Sequence, residues 1–146
     1  MKTVCISGGF DPAHIGHLEY AEAAAKHGRV IAIVNSDAWL IRKKGYVFMP
    51  FEQRARLVGA WKCVDEVVAV DDIDGTVCEA LQRIKPDYFA KSGDRTRDNT
   101  PEQALCTQLG IEMLWDVGGG KVESSSDLVR RCAAKLQIPC TYEHKK

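Results

Sequence analysis

The chain has 146 residues, enough for one domain with a sizeable core and too few for two of ordinary size. Lys plus Arg and Asp plus Glu each number 20, the formal charge is zero and the pI is about 6.9, so no global basic field argues for nucleic acid or an anionic membrane surface as a partner. No run approaches eighteen apolar residues, Met1 leads directly into a strand-like segment and the six cysteines form no CxxC pair, which together predict a soluble, cytoplasmic protein with reduced thiols.

Thr3-Val4-Cys5-Ile6 is a short apolar run that reads as a buried first strand, and Ser7-Gly8-Gly9 lets the chain turn sharply at its carboxyl end. After Phe10-Asp11-Pro12-Ala13 comes His14-Ile15-Gly16-His17. An apolar stripe at Ile15, Leu18, Ala21, Ala24 and Ala25 predicts a helix there, with both imidazoles at its amino end, three residues apart and facing similarly. Unpaired amides and the positive end of the helix dipole favour an anion at that end, and imidazole N–H groups add directed donors. Two such donors suit nucleotidyl transfer. They can grip the α-phosphate and the departing β-phosphate oxygen, binding harder as charge grows in the transition state. An isolated HxxH is more simply a helix cap and a surface histidine; the strand and glycine turn before it shift the balance towards phosphate. A zinc pair is disfavoured, since helical ligand pairs are usually four apart and no third ligand cluster accompanies this one.

Val30-Ile31-Ala32-Ile33-Val34 is a continuous β-branched run, as expected of a parallel strand covered on both faces, and it ends at Asn35-Ser36-Asp37. Arg42-Lys43-Lys44-Gly45 and the residues up to Pro50 are too polar for core and read as a mobile loop. A basic run is usually just solvated, but this one leads from a strand's carboxyl end and is placed to close over a triphosphate. Helical patterns follow at about 51–63, 74–84 and 100–109, alternating with strand candidates Val67–Val70, Tyr88–Ala90 and Ile111–Trp115. In the first of these helices Arg54 reads by default as a surface arginine paired with Glu52 or Asp65. Lys91-Ser92-Gly93-Asp94 and Gly118-Gly119-Gly120 follow the fourth and fifth strands. Ser124-Ser125-Ser126, just before Leu128-Val129, reads as an N-cap run whose helix end is also suited to β- and γ-phosphates.

The alternation predicts an α/β fold: a single-domain, doubly wound, Rossmann-like five-stranded parallel sheet with helices on both faces. The domain spans 1–146, with its core at about 2–137 and a C-terminal tail at 138–146. Ligands of such sheets lie outside the carboxyl ends of the strands near the switch point, where the glycine and serine motifs fall.

Gly8-Gly9-Phe10-Asp11-Pro12-Ala13-His14-Ile15-Gly16-His17 resembles the G-x-F-D-x-x-H-x-G-H signature of the cytidylyltransferase-like nucleotidyltransferases. Val34-Asn35-Ser36-Asp37, Arg42-Lys43-Lys44-Gly45 and Glu52-Gln53-Arg54 are similar, in order and spacing, to the V-N-S-D, R-x-K-G and E-Q-R stretch of that family's sugar-phosphate adenylyltransferases. Ser124-Ser125-Ser126 stands where the family has its late I-S-T-T or I-S-S-S motif. The resemblance runs from about residue 3 to 131. It implies a nucleotidyltransferase that moves CMP or AMP from CTP or ATP to a small phosphorylated alcohol or sugar phosphate and releases pyrophosphate. Mg²⁺ would bridge the triphosphate, held mainly by phosphates and water with Asp11 as a candidate ligand.

By the same resemblance His14 and His17 stabilise the transition state and Lys44 orients the α-phosphate and acceptor, while Arg54 with Ser124 and Ser125 holds pyrophosphate and Ser126 joins the nucleotide- and phosphate-binding set. Gly8, Gly9, Phe10, Asp11 and Asp94 surround the nucleotide, and Arg42, Lys43, Lys91 and Arg95 are the acceptor-side candidates. A homodimer is a further expectation, because members of the family are often dimers. The chain departs from the family at Gly119-Gly120-Lys121-Val122-Glu123, where cytidylyltransferases carry R-T-x-G-I; the missing arginine weakens a preference for CTP and leaves the base open between CTP and ATP. A class I aminoacyl-tRNA synthetase is excluded by length and the lack of K-M-S-K-S. A dinucleotide dehydrogenase lacks its G-x-G-x-x-G, and a P-loop NTPase its G-x-x-x-x-G-K-[ST]. The remaining rival is a nucleotide-binding sensor or scaffold of the same fold without turnover.

Overall fold

The computed structural model describes residues 1–93, 100–120 and 123–137. Five strands, β1 (Thr3–Gly8), β2 (Arg29–Val34), β3 (Glu66–Ala69), β4 (Tyr88–Ala90) and β5 (Glu112–Leu114), form one all-parallel sheet in the order β3-β2-β1-β4-β5. Among the described residues six α-helices connect and flank them: α1 (Ile15–Ala24), α2 (Asp37–Lys44), α3 (Phe51–Gly59), α4 (Cys78–Ile84), α5 (Gln103–Leu109) and α6 (Ser125–Lys135). The strand order reverses between β1 and β4, which makes that junction the switch point of an α/β, Rossmann-like sheet.

The continuous apolar runs of β1 and β2 have a use on each face. Val4, Ile6, Val30, Ala32 and Val34 point to one side, against Tyr20, Ala21 and Ala24 of α1 and Val58 of α3. Cys5, Ile31, Ile33 and Phe89 point to the other, against Ala80 and Leu81 of α4 and Cys106 of α5. Strand side chains alternate between faces, so a strand covered twice must be apolar throughout. Truncating a wholly buried one such as Ile33 to Ala should cost about 2–5 kcal/mol.

The segment from Arg42 corrects the sequence reading. Arg42, Lys43 and Lys44 form the last turn of α2 rather than a loop. The Ser36 hydroxyl caps the helix by accepting from the Trp39 amide at 3.0 Å, Leu40 anchors it in the core, and Gly45 ends it in the left-handed conformation at φ 85°. Polarity had hidden an eight-residue helix whose single fully buried residue is Leu40. Helices α3, α4 and α5 are shorter than the patterns suggested, beginning or ending several residues inside 51–63, 74–84 and 100–109.

Among the described residues no helix is long and apolar enough to cross a membrane, and Cys5, Cys63, Cys78, Cys106 and Cys132 are free thiols. Burial pushes the Cys5 thiol up to about 12 and that of Cys106 to about 11. Asp94, Arg95 and the tail 138–146 lie outside the described residues.

Candidate functional site

At the carboxyl edge of the sheet a cleft of about 300 Å³ lies between the amino ends of α1 and α6. Gly8, Gly9, Phe10, Asp11, His14, His17, Lys43, Lys44, Lys91, Ser124, Ser125 and Ser126 all line it, so most of the residues singled out along the sequence converge on one cavity. A Cβ on Gly9 would lie 2.8 Å from Leu40 Cδ2, so that methyl would have to move to admit one. Gly93 is pressed harder still, since a Cβ would come 2.3 Å from the Gly119 carbonyl oxygen.

His14 is the N-cap of α1, with extended backbone at φ −143° and ψ −179°. Its Nδ1 accepts from the Gly16 amide at 3.0 Å, while the His14 amide donates to His17 Nδ1 at 3.2 Å. The two rings stack 3.8 Å apart with 20° between their planes, and Phe10 packs on His17 in a T-shaped pair with centroids 5.0 Å apart. Because both Nδ1 atoms accept backbone protons, the N–H of each neutral ring is on Nε2. This capping box turns a pair of ambiguous imidazoles into a pair of oriented donors at the positive end of a helix.

The amino end of α6 is built with comparable care. Ser124 Oγ accepts from the Asp127 amide at 3.3 Å, and the Ser125 hydroxyl donates to the Pro12 carbonyl at 2.8 Å, tying α6 to the turn that precedes the histidines. Glu123 sits beside them. Its carboxylate accepts from the Ser124 amide at 3.0 Å and from Arg131 at 3.0 Å, and these two partners hold it below the ordinary glutamate range.

Three expected residues have different duties from those assigned. Arg54 is wholly buried and does not face the cleft: it donates to the carbonyls of Met49 (2.8 Å), Gly9 (2.7 Å) and Asn35 (2.8 Å) and to the Asp37 carboxylate (2.6 Å). Instead of holding pyrophosphate it ties the carboxyl ends of β1 and β2 to the start of α2 and to the chain before α3. Arg42 turns away from the cleft to the Asp72 carbonyl, at 2.7 Å. Asp11, the candidate metal ligand, has a fully buried side chain whose oxygens accept from the Phe48 and Met49 amides at 2.7 and 2.6 Å, with the Lys44 ammonium at 3.6 Å. A carboxylate so occupied does not suit a divalent cation. Among the described residues no group of three or more His, Cys, Asp or Glu side chains does so either.

Lys44 lines the cleft while its ammonium donates to the Asp11 carbonyl and lies over the Tyr46 ring at 4.9 Å. Burial pulls its ammonium below the usual lysine range, an effect that Asp11 opposes and Arg54 assists. Lys43 lies over the Trp39 ring at 4.6 Å, and Lys91 reaches Ser7 Oγ at 3.4 Å across the β1–β4 junction. Sequence reasoning missed Tyr20 and Trp39, both of which line the cleft. Tyr20 had a readable signal, one helical turn beyond His17 on the same face; Trp39 had none while its segment was read as a strand exit leading to a loop.

A family model described as cytidylyltransferase-like matches residues 5–130. The bifunctional protein HldE of Gluconobacter oxydans (strain 621H) is 38% identical over 139 residues, covering 88% of this chain and 27% of the relative. An FAD synthase of Ferroglobus placidus is 36% identical over 98 residues, covering 67% of this chain and 63% of that protein. The chain thus spans about a quarter of the length of the HldE proteins that it matches. Among solved structures, a lipopolysaccharide core biosynthesis protein from Thermoplasma volcanium GSS1 superposes with a TM-score of 0.70 at 24% identity, covering 84% of this chain and 99% of that one, which speaks for the fold.

Proposed function

The chain belongs to the cytidylyltransferase-like family, and on that premise we propose that it transfers the nucleoside monophosphate part of ATP or CTP to a small phosphorylated alcohol or sugar phosphate. The acceptor's phosphate oxygen forms a bond to the α-phosphorus, the bond from that phosphorus to the β-bridging oxygen breaks, and pyrophosphate carries away the electron pair. No proton has to move. The protein's part is to position the two substrates and to stabilise charge on the transferring group.

The observation that carries this reading is the pair of stacked imidazoles, both with Nδ1 fixed by backbone amides. Their Nε2–H donors suit the α- and β-phosphate oxygens, in a cleft that a second helix amino end also lines. Lys44 and Lys91, at opposite sides of the β1 turn, supply positive charge for the acceptor phosphate. Mg²⁺ fits as part of the incoming nucleotide, held by phosphate oxygens and water, since Asp11 is already committed to Phe48, Met49 and Lys44. Similarity to a protein named FAD synthase favours ATP as the donor.

The test is Mg²⁺-dependent pyrophosphate release with ATP, CTP, GTP and UTP against a panel of sugar and alcohol phosphates, with His17→Ala as the control. Release that requires His17 and one particular nucleotide supports the proposal. One observation favours the rival sensor reading: the Glu123 carboxylate already occupies the Ser124 amide at the end of α6. Tight nucleotide binding with no release across the panel would establish that reading instead.

A further inference from the structure

We propose that Tyr20 is a positioning residue that holds open the crevice at the switch point, its phenol standing in for one rung of the β1–β4 ladder. The proposal rests on reading the cleft as the site of nucleotidyl transfer.

The sheet is incomplete at this junction. β1 pairs with β2 along all six residues from Thr3 to Gly8, but with β4 only at Val4↔Tyr88 and Cys5↔Phe89. In a parallel strand the backbone groups of successive residues point alternately to the two neighbours. The carbonyls of Lys2 and Gly8 accept from Arg29 and Asn35 on the β2 side, whereas that of Thr3 accepts from Asp87 on the β4 side. Ser7 shares the parity of Thr3, so its N–H points towards β4. Continued by two residues from Cys5↔Phe89, the register would bring that N–H to the Ala90 carbonyl as the next rung.

The rung is not made directly. The Ser7 amide donates to the Tyr20 phenol oxygen at 3.3 Å, and the phenol donates to the Ala90 carbonyl at 2.5 Å. An oxygen inserted between donor and acceptor replaces one hydrogen bond by two in series, keeping both backbone groups satisfied while β1 and β4 part. The parting is where the cleft begins: Ser7, Tyr20 and Lys91 line it, and Lys91 Nζ spans the gap to Ser7 Oγ at 3.4 Å.

The same phenol locks α1. Tyr20 is 6% exposed and one turn beyond His17, so anchoring its tip to two strands sets the rotation of the helix about its axis, and with it the direction of the imidazoles. The loop after β5 closes on the same residue, for a Cβ on Gly118 would lie 3.0 Å from Tyr20 Cα. Tyr20 therefore couples the width of the crevice to the aim of His14 and His17.

Tyr20→Phe removes one oxygen and leaves the ring. Without the wedge, the Ser7 amide and the Ala90 carbonyl are free to pair directly and narrow the floor of the crevice. The experiment combines three measurements on wild type and Tyr20→Phe: the amide signal and hydrogen exchange of Ser7 by NMR, the Kd of ATP and CTP by calorimetry, and kcat and KM well below the melting temperature. The expected result is a shifted Ser7 amide that remains protected, with kcat/KM lower by about 10- to 100-fold and most of the loss in nucleotide Kd and KM.

A hydroxyl that served stability alone would lower Tm and leave Kd, kcat and KM within twofold of wild type; that outcome overturns the proposal. If Tyr20→Phe does not fold, a fluorinated tyrosine of lowered phenol pKa at position 20 decides. Its kcat/KM should fall as pH rises through the new phenol pKa, because phenolate has no proton to give Ala90, and a profile identical to wild type overturns the proposal. Wild-type protein that neither binds nor turns over nucleotide overturns the functional reading itself, independently of what the Ser7 amide shows.

Discussion

Replacing Arg54 by Met separates a structural arginine from a phosphate-binding one. The guanidinium is wholly buried, and three of its hydrogen bonds go to backbone carbonyls, those of Gly9, Asn35 and Met49. The fourth partner, Asp37, is 44% exposed in its side chain and can turn to water when the arginine is lost, so the penalty concentrates in the carbonyls. A buried acceptor left without a donor costs about 1–3 kcal/mol, and removing a charged partner from a buried network costs about 3–5 kcal/mol in all once the groups relax. For a domain of this size each kcal/mol is worth about 3–4 °C, so Arg54→Met should lower Tm by about 10–20 °C. Arg54→Lys should fall between, because one ammonium cannot span the same set of acceptors. Thermal unfolding followed by circular dichroism measures the effect, with pyrophosphate release on the folded fraction as the companion assay. An Arg54→Met protein that melts within about 3 °C of wild type while losing its activity would refute the reasoning and return Arg54 to the phosphates.

His17→Ala and His14→Ala should each lower kcat, His17→Ala by about 10²–10³ fold, and each should also cost about 1 kcal/mol of stability, because each Nδ1 accepts one backbone amide of the capping box; steady-state kinetics beside thermal melts check both effects. Asp11→Asn keeps one amide acceptor but presents an NH₂ group to the other amide and unpairs Lys44, so it should lower stability by about 3 kcal/mol and leave the Mg²⁺ concentration for half-maximal activity unchanged. A raised Mg²⁺ requirement with unaltered Tm would instead make Asp11 a metal ligand. Glu123→Gln removes a negative charge beside the amino end of α6 and should lower the nucleotide KM about two- to fivefold. The Glu123 carboxyl is held below its ordinary value, so its contribution to stability is present above the unfolded glutamate pKa and is lost as pH falls through the folded one; urea midpoints measured from pH 6 down to pH 3 should show a smaller acid loss in Glu123→Gln than in wild type.

The architecture could be read from the sequence because hydrophobic pattern and topology agree. A strand buried on both faces admits no polar residue, which is why Val30–Val34 announced itself, and β4 matched its expected Tyr88–Ala90 at both ends. The histidine pair was legible for a related reason: its geometry is local, fixed by amides within three residues of each ring. What escaped was determined at a distance. Leu40 alone is the fully buried residue of α2, and its apolar residues, Ala38 to Ile41, are consecutive rather than spaced at three and four, so no helical period shows and Ser36 and Gly45 were the local marks of that helix.

Arg54 and Asp11 show the same limit in charged residues, and it has a physical cause. Both satisfy themselves chiefly on backbone groups, which every residue carries and which leave no trace in side-chain composition. A family motif marks such residues as indispensable without saying whether they touch a ligand or hold the turn that does. Here the two roles are arranged in series. Arg54 grips the Gly9 carbonyl and Asp11 the Phe48 and Met49 amides, so the glycine turn is clamped on both sides before His14 caps its helix. The imidazoles lead off from that clamped turn, and a donor aimed at developing charge is effective to the extent that its direction is set before the substrate arrives. Burying an arginine and an aspartate next to the cleft costs stability only if their partners are lost; with the partners in place it gives the histidines a turn that, in the proposed reaction, would not yield as charge builds on the transferring phosphorus.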